Sequence, residues 1–215
     1  MPEITAVCRV FALLPDPGPV GTTAIDKRPV TGRATVRRFG IYADLQADRA
    51  HHGGIDQAVY AYADEDAAWW ANELGREITP GLFGENLRTS GLETSDAVLG
   101  EQWSVGADGL VLEVTSPRTP CATFARRMEE HRWVRRFSAK AATGAYFRVV
   151  QPGTIGMGDE IAVTHRPAHG VSVRDVFTGP TREQAAALLS AHDAGELALS
   201  DAVLAKSRRA AARDR

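Results

Sequence analysis

Alternating apolar and polar positions dominate the first three quarters of the chain and predict strands separated by glycine- and proline-containing turns. The clearest of these patterns lie at residues 4–14, 57–62, 101–105, 110–115, 145–150 and 161–164. Two helical patterns interrupt them, at residues 65–74 and 122–132. Asp64 before the first helix and Gly75 after it are residues typical of a helix start and a helix stop. We therefore expect a mainly β fold with a few flanking helices.

The pattern becomes helical in the last fifty or so residues. Thr181 and Gln184 match the two ends of a capping box, and an Ala/Leu run follows them. Residues 193–199 and 201–213 are suited to two further helices. The end of the chain is therefore expected to form a small C-terminal three-helix bundle.

We place a domain boundary near residue 167, between a closed or nearly closed β architecture at residues 1–167 and the helical bundle at residues 168–215. A chain of 215 residues can bury a full core without disulfides. With 25 Lys and Arg against 27 Asp and Glu, its net charge of −2 gives no global attraction to nucleic acid or to an anionic membrane. No targeting signal or membrane-spanning apolar run stands out, which favours a cytoplasmic location.

The chain contains two cysteines, Cys8 and Cys121, too few for a disulfide framework, an Fe–S cluster or an all-cysteine zinc site. Cys8 lies inside an apolar β pattern, which is typical of a core residue. Cys121 ends the sequence Ser-Pro-Arg-Thr-Pro-Cys, between a predicted strand and a predicted helix. A helix start and the nearby Arg118 both favour a thiolate, which is a soft metal ligand. The alternative is a buried, inert cysteine.

Two glycine-containing segments are further candidates for a ligand site. Residues 51–57 read His-His-Gly-Gly-Ile-Asp-Gln and predict either a ligand-lining loop or a structural Gly-Gly turn. Zinc is less favoured there, because the two His are adjacent and no third ligand follows at a familiar spacing. Residues 80–87 read Pro-Gly-Leu-Phe-Gly-Glu-Asn-Leu. They predict either a loop that presents backbone N–H groups to an anion or a tight connection between strands.

Six basic residues follow Cys121 closely, and only Glu129 and Glu130 offset them. The six are Arg126, Arg127, Arg132, Arg135, Arg136 and Lys140. This stretch is suited to holding a phosphate or docking an acidic protein, and a merely solvated face is the alternative.

Taken in order, these segments resemble the MOSC family, named for the C-terminal domain of molybdenum cofactor sulfurases. The resemblance covers about residues 20–165. It rests on Lys27-Arg28-Pro29-Val30, residues 51–62, residues 81–92, Leu99-Gly100-Glu101-Gln102-Trp103, residues 116–121, residues 144–149 and residues 156–160. Within the family, the chain is similar to the bacterial stand-alone subgroup that confers resistance to 6-N-hydroxylaminopurine and carries a C-terminal three-helix domain. It differs in having Ala43-Asp44 where the family usually has Gly-Asp, and Ile55 where Pro is frequent.

The resemblance implies a MOSC-type β-barrel that binds the molybdenum cofactor, a molybdopterin, in a cleft. Cys121 matches the family cysteine expected to ligate molybdenum. Residues at positions expected to hold the cofactor are Arg118, Asn86, Lys27, His52, Thr119 and Gly84. The implied function is an oxidoreductase that reduces N-hydroxylated compounds, such as amidoximes and hydroxylaminopurine-type base analogues.

The reduction also needs protons and electrons. Asp56 or Glu85 is expected to protonate the leaving oxygen. The chain has no flavin or haem motif and too few cysteines for an Fe–S cluster, so electrons are expected from an external flavoprotein or ferredoxin that docks on the Arg-rich stretch. The alternative function is a non-catalytic module that carries molybdenum cofactor, or sulfur on Cys121.

Overall fold

A computed structural model describes residues 1–18, 20–46 and 53–212 of the chain. Its strands are β1 (Glu3–Pro15), β2 (Thr22–Pro29), β3 (Ala34–Arg37), β4 (Gly40–Ile41), β5 (Val59–Ala63), β6 (Leu87–Ser90), β7 (Gln102–Val105), β8 (Leu110–Pro117), β9 (Ala145–Gln151), β10 (Gly153–Ile155) and β11 (Ile161–His165). Its α-helices are α1 (Asp64–Leu74), α2 (Ala122–Met128), α3 (Trp133–Lys140), α4 (Val173–Thr178), α5 (Arg182–Asp193) and α6 (Asp201–Ala211). No helix within these ranges is long and apolar enough to cross a membrane.

Eight strands form one sheet, in the order β11-β7-β8-β9-β5-β6-β1-β2, and β10, β3 and β4 form a second one. The pair β5–β6 is parallel. An isolated bridge between Glu3 and Glu160 joins the start of β1 to the residue before β11. In the part of the chain that the structure describes, no continuous ladder closes the large sheet. The predicted mainly β class with flanking helices is confirmed, while the expected barrel is not closed, since β11 and β2 remain the edge strands of the large sheet.

The main apolar core lies between this sheet and the C-terminal helices. Inward-facing strand residues such as Trp103 and Phe147, whose ring centroids are 4.6 Å apart, belong to it. Val176 of α4, Leu188 of α5 and Val203 of α6 belong to the same cluster. The helical tail therefore packs directly on the sheet, and the division into two domains at residue 167 remains a prediction.

Local signals located several helix ends correctly. Gly75 ends α1 in the left-handed conformation, with φ of 62°, and the predicted capping box of Thr181 and Gln184 starts α5. The expected helix at residues 122–132 is instead interrupted, because Glu129 adopts φ of 56° and ends α2. The expected helix at residues 193–199 is wrong: α5 runs through Asp193, and Gly195, with φ of 74°, turns the chain.

A second apolar cluster packs α1, α2 and α3 against β5. Most of its buried side chains are aromatic, namely Tyr60, Tyr62, Trp70, Phe83, Phe124, Trp133 and Phe137. Cys121 and Tyr146 lie at its margin, half-buried. Close packing leaves these rings little freedom to move, so the cluster gives the neighbouring polar side chains a rigid support.

Candidate functional site

A cavity of about 500 Å³ opens beside the aromatic cluster, between β2 and the start of α2. This volume lies in the range of small-molecule and cofactor sites, roughly 300–1,000 Å³. Six of the seven residues that the resemblance assigned to the cofactor or the metal line it, namely Lys27, Gly84, Asn86, Arg118, Thr119 and Cys121. They come from three separate segments, so the fold brings together what the sequence keeps apart.

Cys121 owes its position to the prolines around it. Pro117 ends β8, Pro120 precedes Cys121, and the Cys121 backbone is extended, with φ of −125° and ψ of 174°. Helix α2 begins at the next residue, as the sequence predicted. Because proline restricts both its own φ and the residue before it, the thiol is held at a defined point on the cavity wall.

Cys8 has the opposite environment and is a core residue, as expected. It is fully buried, and burial raises the pKa of its thiol to about 12. A thiol of this kind remains protonated at neutral pH and is a poor nucleophile and metal ligand. The two cysteines therefore differ in access as well as in position.

Arg118 supplies a buried cation at the cavity. Its guanidinium carbon lies 3.5 Å from the centroid of the Phe124 ring, and the residue is buried. Its Nη1 has no hydrogen-bond partner among the described residues. A buried donor without a partner costs free energy unless a ligand or water satisfies it. Arg118 is therefore suited to receive an anionic group.

Lys27 and Asn86 are held by a carboxylate that sequence reasoning missed, Asp44. Lys27 Nζ donates to Asp44 Oδ2 at 2.6 Å, and Asn86 Nδ2 donates to the same oxygen at 2.8 Å. Asn86 Nδ2 also donates to the Cys8 carbonyl oxygen at 3.2 Å. Both amide hydrogens of Asn86 are thus used within the protein, whereas Lys27 uses one of its three N–H donors on Asp44 among the described residues.

The loop before β6 is a tight connection rather than an anion-binding nest. Glu85 is fully buried and accepts hydrogen bonds from the backbone N–H groups of Gly81, at 2.7 Å, and Phe83, at 3.0 Å. The Gly84 N–H donates to the Gly81 carbonyl oxygen. Gly81, with φ of 88°, passes so close to β2 that a Cβ would lie 2.3 Å from the Lys27 carbonyl oxygen. The backbone donors of this loop are therefore already satisfied.

The two carboxylates expected to act as acids do not line the cavity. Glu85 pairs with Arg88 Nε at 2.5 Å, and Asp56 pairs with Arg148 at 2.9 Å. Each carboxylate is therefore turned to an arginine of the sheet, and the geometry gives no support to a proton-donor role for either. His52, which was expected to bind the cofactor, lies outside the described residues.

Further lining residues complete the site. Among them are Asp16, Asp44, Gln57, Arg126 and Tyr146. Arg126 donates to Asp16 at 2.7 Å and lowers the pKa of that carboxyl. Burial raises the pKa of the Tyr146 phenol, and the nearby Arg118 guanidinium opposes that shift. The sequence contained some of them within motifs, such as Gln57 after the Gly-Gly turn, without showing that they share a cavity.

The Arg-rich stretch is less positive than its composition suggested. Four of its six cations have partners: Arg126 with Asp16, Arg127 with Asp26, Arg136 with Glu73, and Lys140 over the Trp69 ring. The other two, Arg132 and Arg135, are exposed. Tertiary ion pairs thus reduce the net positive charge that a docking protein would meet.

The chain is similar to several proteins of known sequence or structure. The chain is 33% identical over 193 residues to YflK of Bacillus subtilis, covering 87% of this chain and 82% of that protein. It is 31% identical over 158 residues to a protein of Gibberella moniliformis named reductase, covering 72% of this chain but only 28% of the fungal protein. The crystal structure of YiiM from Geobacillus stearothermophilus superposes with a TM-score of 0.76 at 27% identity, over 99% of this chain and 100% of that one.

The family assignment follows from a direct match as well. The sequence model of the MOSC domain matches residues 48–162, more than half of the chain. This range contains Cys121, Arg118 and the loop that ends at Asn86. The chain therefore belongs to the MOSC domain family, a family associated with the molybdenum cofactor.

Proposed function

We propose that the protein binds a molybdenum cofactor of the molybdopterin type in this cavity and reduces N-hydroxylated compounds with it. The observation that carries the proposal is that Cys121 and Arg118 line the same cavity, where Arg118 Nη1 has no hydrogen-bond partner among the described residues. The name of the Gibberella moniliformis relative, reductase, supports an oxidoreductase activity.

The donor set fits such a group. Cys121 offers the soft sulfur that suits molybdenum, and Arg118 and Lys27 offer N–H donors for its anionic part. In the described ranges, no group of three or more His, Cys, Asp or Glu side chains is placed to hold a metal. Cys121 would then be a single protein ligand, with the remaining ligands supplied by the cofactor itself.

The bound group would supply two electrons, which together with two protons convert N–OH to N–H and release water. The chain's own residues would anchor and enclose the reaction. Asp44 holds Lys27 against the cavity wall, and the rings of Tyr60, Phe83 and Tyr146 form an apolar side that limits access of water. Thr119 is exposed and lines the cavity, so protons can enter from solvent at that end.

The test is expression in a host that makes molybdopterin, followed by metal analysis and assay with benzamidoxime and hydroxylaminopurine, using a reduced viologen as donor. We expect stoichiometric molybdenum and turnover, both lost in Cys121→Ser and retained in Cys8→Ser. Bound cofactor without turnover would contradict the enzyme and favour the alternative, a non-catalytic carrier of the cofactor. Absence of molybdenum in the wild-type protein would overturn both.

We also propose an external electron donor, a flavoprotein or ferredoxin, that docks at Arg132 and Arg135. These two arginines are the exposed cations that remain near α3 once the ion pairs of the Arg-rich stretch are counted. Replacing both with Gln should slow turnover with a protein donor and leave turnover with viologen unchanged. Arg182→Gln, at an exposed position on α5, is the matched control. Equal losses with both donors would contradict this docking site.

A further inference from the structure

Two cavity-lining residues carry buried side-chain atoms that have no hydrogen-bond partner within the described part of the chain. One is the donor Nη1 of Arg118, and the other is the acceptor Oε1 of Gln57. The two atoms have opposite hydrogen-bonding character. The molecules that occupy the cavity must therefore present an acceptor or anion to Arg118 and an N–H or O–H donor to Gln57.

The backbone around Gln57 is fixed from several sides. Its carbonyl oxygen accepts from Gln46 Nε2 at 2.8 Å, and Gln46 Oε1 accepts from the Gly54 N–H at 3.0 Å. The carbonyl oxygen of the preceding residue, Asp56, accepts from Thr115 Oγ1 at 2.5 Å. Gln57 therefore lies two residues before β5 on a constrained backbone, and the residue lines the cavity.

The other amide and carboxylate oxygens of the cavity are already engaged. Asn86 Oδ1 accepts from the Tyr60 N–H at 3.2 Å. Asp44 accepts from Lys27, Asn86 and the Val10 N–H, the last at 2.7 Å. Gln57 Oε1 is thus the amide acceptor that is left for a ligand among these groups.

We propose that Gln57 is a specificity-determining residue that accepts a hydrogen bond from an N–H group of the substrate. Amidoximes carry an NH2 group on the carbon bonded to the hydroxylated nitrogen, and hydroxylaminopurines carry an N–H on that nitrogen itself, whereas N,N-dialkylhydroxylamines are N-hydroxylated but carry no N–H group. Arg118 is the donor for the anionic cofactor, so the two unpartnered atoms serve different ligands. The identity of the substrate rests on the proposed function, while the recognition of N–H is tested without it.

The test variant is Gln57→Met, which keeps the length of the side chain and removes the acceptor. Loss of a hydrogen bond to a buried partner reduces discrimination by about 10- to 100-fold. We expect kcat/KM for benzamidoxime to fall by about tenfold or more, mainly through KM. Turnover of N,N-diethylhydroxylamine and the molybdenum content should not change. Gln151→Met, the same substitution at an exposed residue outside the cavity lining, is the control and should leave both substrates unaffected.

Benzamidine provides the second measurement, because it carries N–H donors and no N–O bond to reduce. Calorimetry should show that it binds the wild-type protein and binds Gln57→Met about tenfold more weakly. Binding that depends on Gln57 without any turnover would support the inference and refute the proposed function. Turnover with unchanged selectivity in Gln57→Met, unchanged benzamidine affinity in that variant, or no benzamidine binding to the wild-type protein would overturn the inference.

Discussion

Lys27 and Asp44 form an ion pair of 2.6 Å at the edge of the cavity, with side chains that are only 10% and 7% exposed. The pair joins β2 to the turn after β4, and the N–H of Val10 on β1 donates to the second carboxylate oxygen at 2.7 Å. Asp44 is thus an acceptor for three segments of the chain. Its removal would leave a cation and two further donors without their partner.

We expect Asp44→Ala to lower the free energy of unfolding by about 3 kcal/mol, because breaking a buried ion pair leaves an uncompensated charge. Urea denaturation measures this change. Asp108→Ala is the control, since Asp108 pairs with Arg33 but is 52% exposed. Such a surface pair contributes about 0–1 kcal/mol. Similar losses of unfolding free energy in the two variants would contradict the larger contribution expected of the buried Lys27–Asp44 pair.

Ala43 adopts the left-handed conformation, with φ of 63°. This conformation costs a residue with a Cβ about 1–2 kcal/mol, while glycine adds about 0.4–1 kcal/mol of unfolded-state entropy. Ala43→Gly should therefore stabilise the protein by about 0.5 kcal/mol, measured as a rise in the urea midpoint. Glycine avoids this strain, which agrees with the Gly-Asp pattern that the family resemblance led us to expect at this point.

Ala71→Gly is the matched control for this substitution. Ala71 lies within α1, where glycine should instead destabilise by about 1 kcal/mol. Destabilisation by both substitutions would contradict the assigned strain at Ala43.

Asp66 makes stability depend on pH. Burial raises the pKa of this carboxyl from 3.8 to about 6, Glu93 and Asp96 add to the shift, and Lys140 and Arg174 oppose it. Because the folded state binds the proton more tightly than the unfolded chain, the stabilising contribution is present below pH 3.8 and is lost as the pH rises through about 6.

We expect Asp66→Asn to be more stable than the wild type at pH 8, by about 2 kcal/mol, and to lose that advantage at pH 4. Thermal or urea unfolding across this range measures the difference. A difference that stays constant between pH 4 and pH 8 would show that Asp66 does not titrate in this way.

The two cysteines should react at different rates. Cys121 is half-buried and lines the cavity, whereas Cys8 is fully buried with a pKa of about 12. Native protein treated with iodoacetamide should gain one label, found on Cys121 by peptide mass spectrometry, and Cys121→Ser should gain none. Both thiols should react in urea. Labelling of Cys8 in the native protein would contradict its burial.

Local sequence signals were sufficient at two places where the determining interaction is short-range. The prolines that flank Arg118 and Thr119 act on their own backbone and on the preceding residue, so the position of Cys121 between a strand and a helix was predictable. The capping box of Thr181 and Gln184 was predictable for the same reason, since its partners are three residues apart. The helix expected at residues 193–199 failed because α5 continued and Gly195 then turned the chain.

The sequence by itself determined the mainly β class, the candidate segments and the distinction between Cys8 and Cys121. Tertiary structure alone decided that Glu85 and Asp56 face Arg88 and Arg148 rather than the cavity. It also decided which polar atoms are left without partners, as at Gln57. A carboxylate or an amide in a motif has the same chemistry in every fold. Whether it binds a ligand or another group of the protein depends on which side chains from distant parts of the sequence lie within hydrogen-bond distance of it. The chain topology sets those distances.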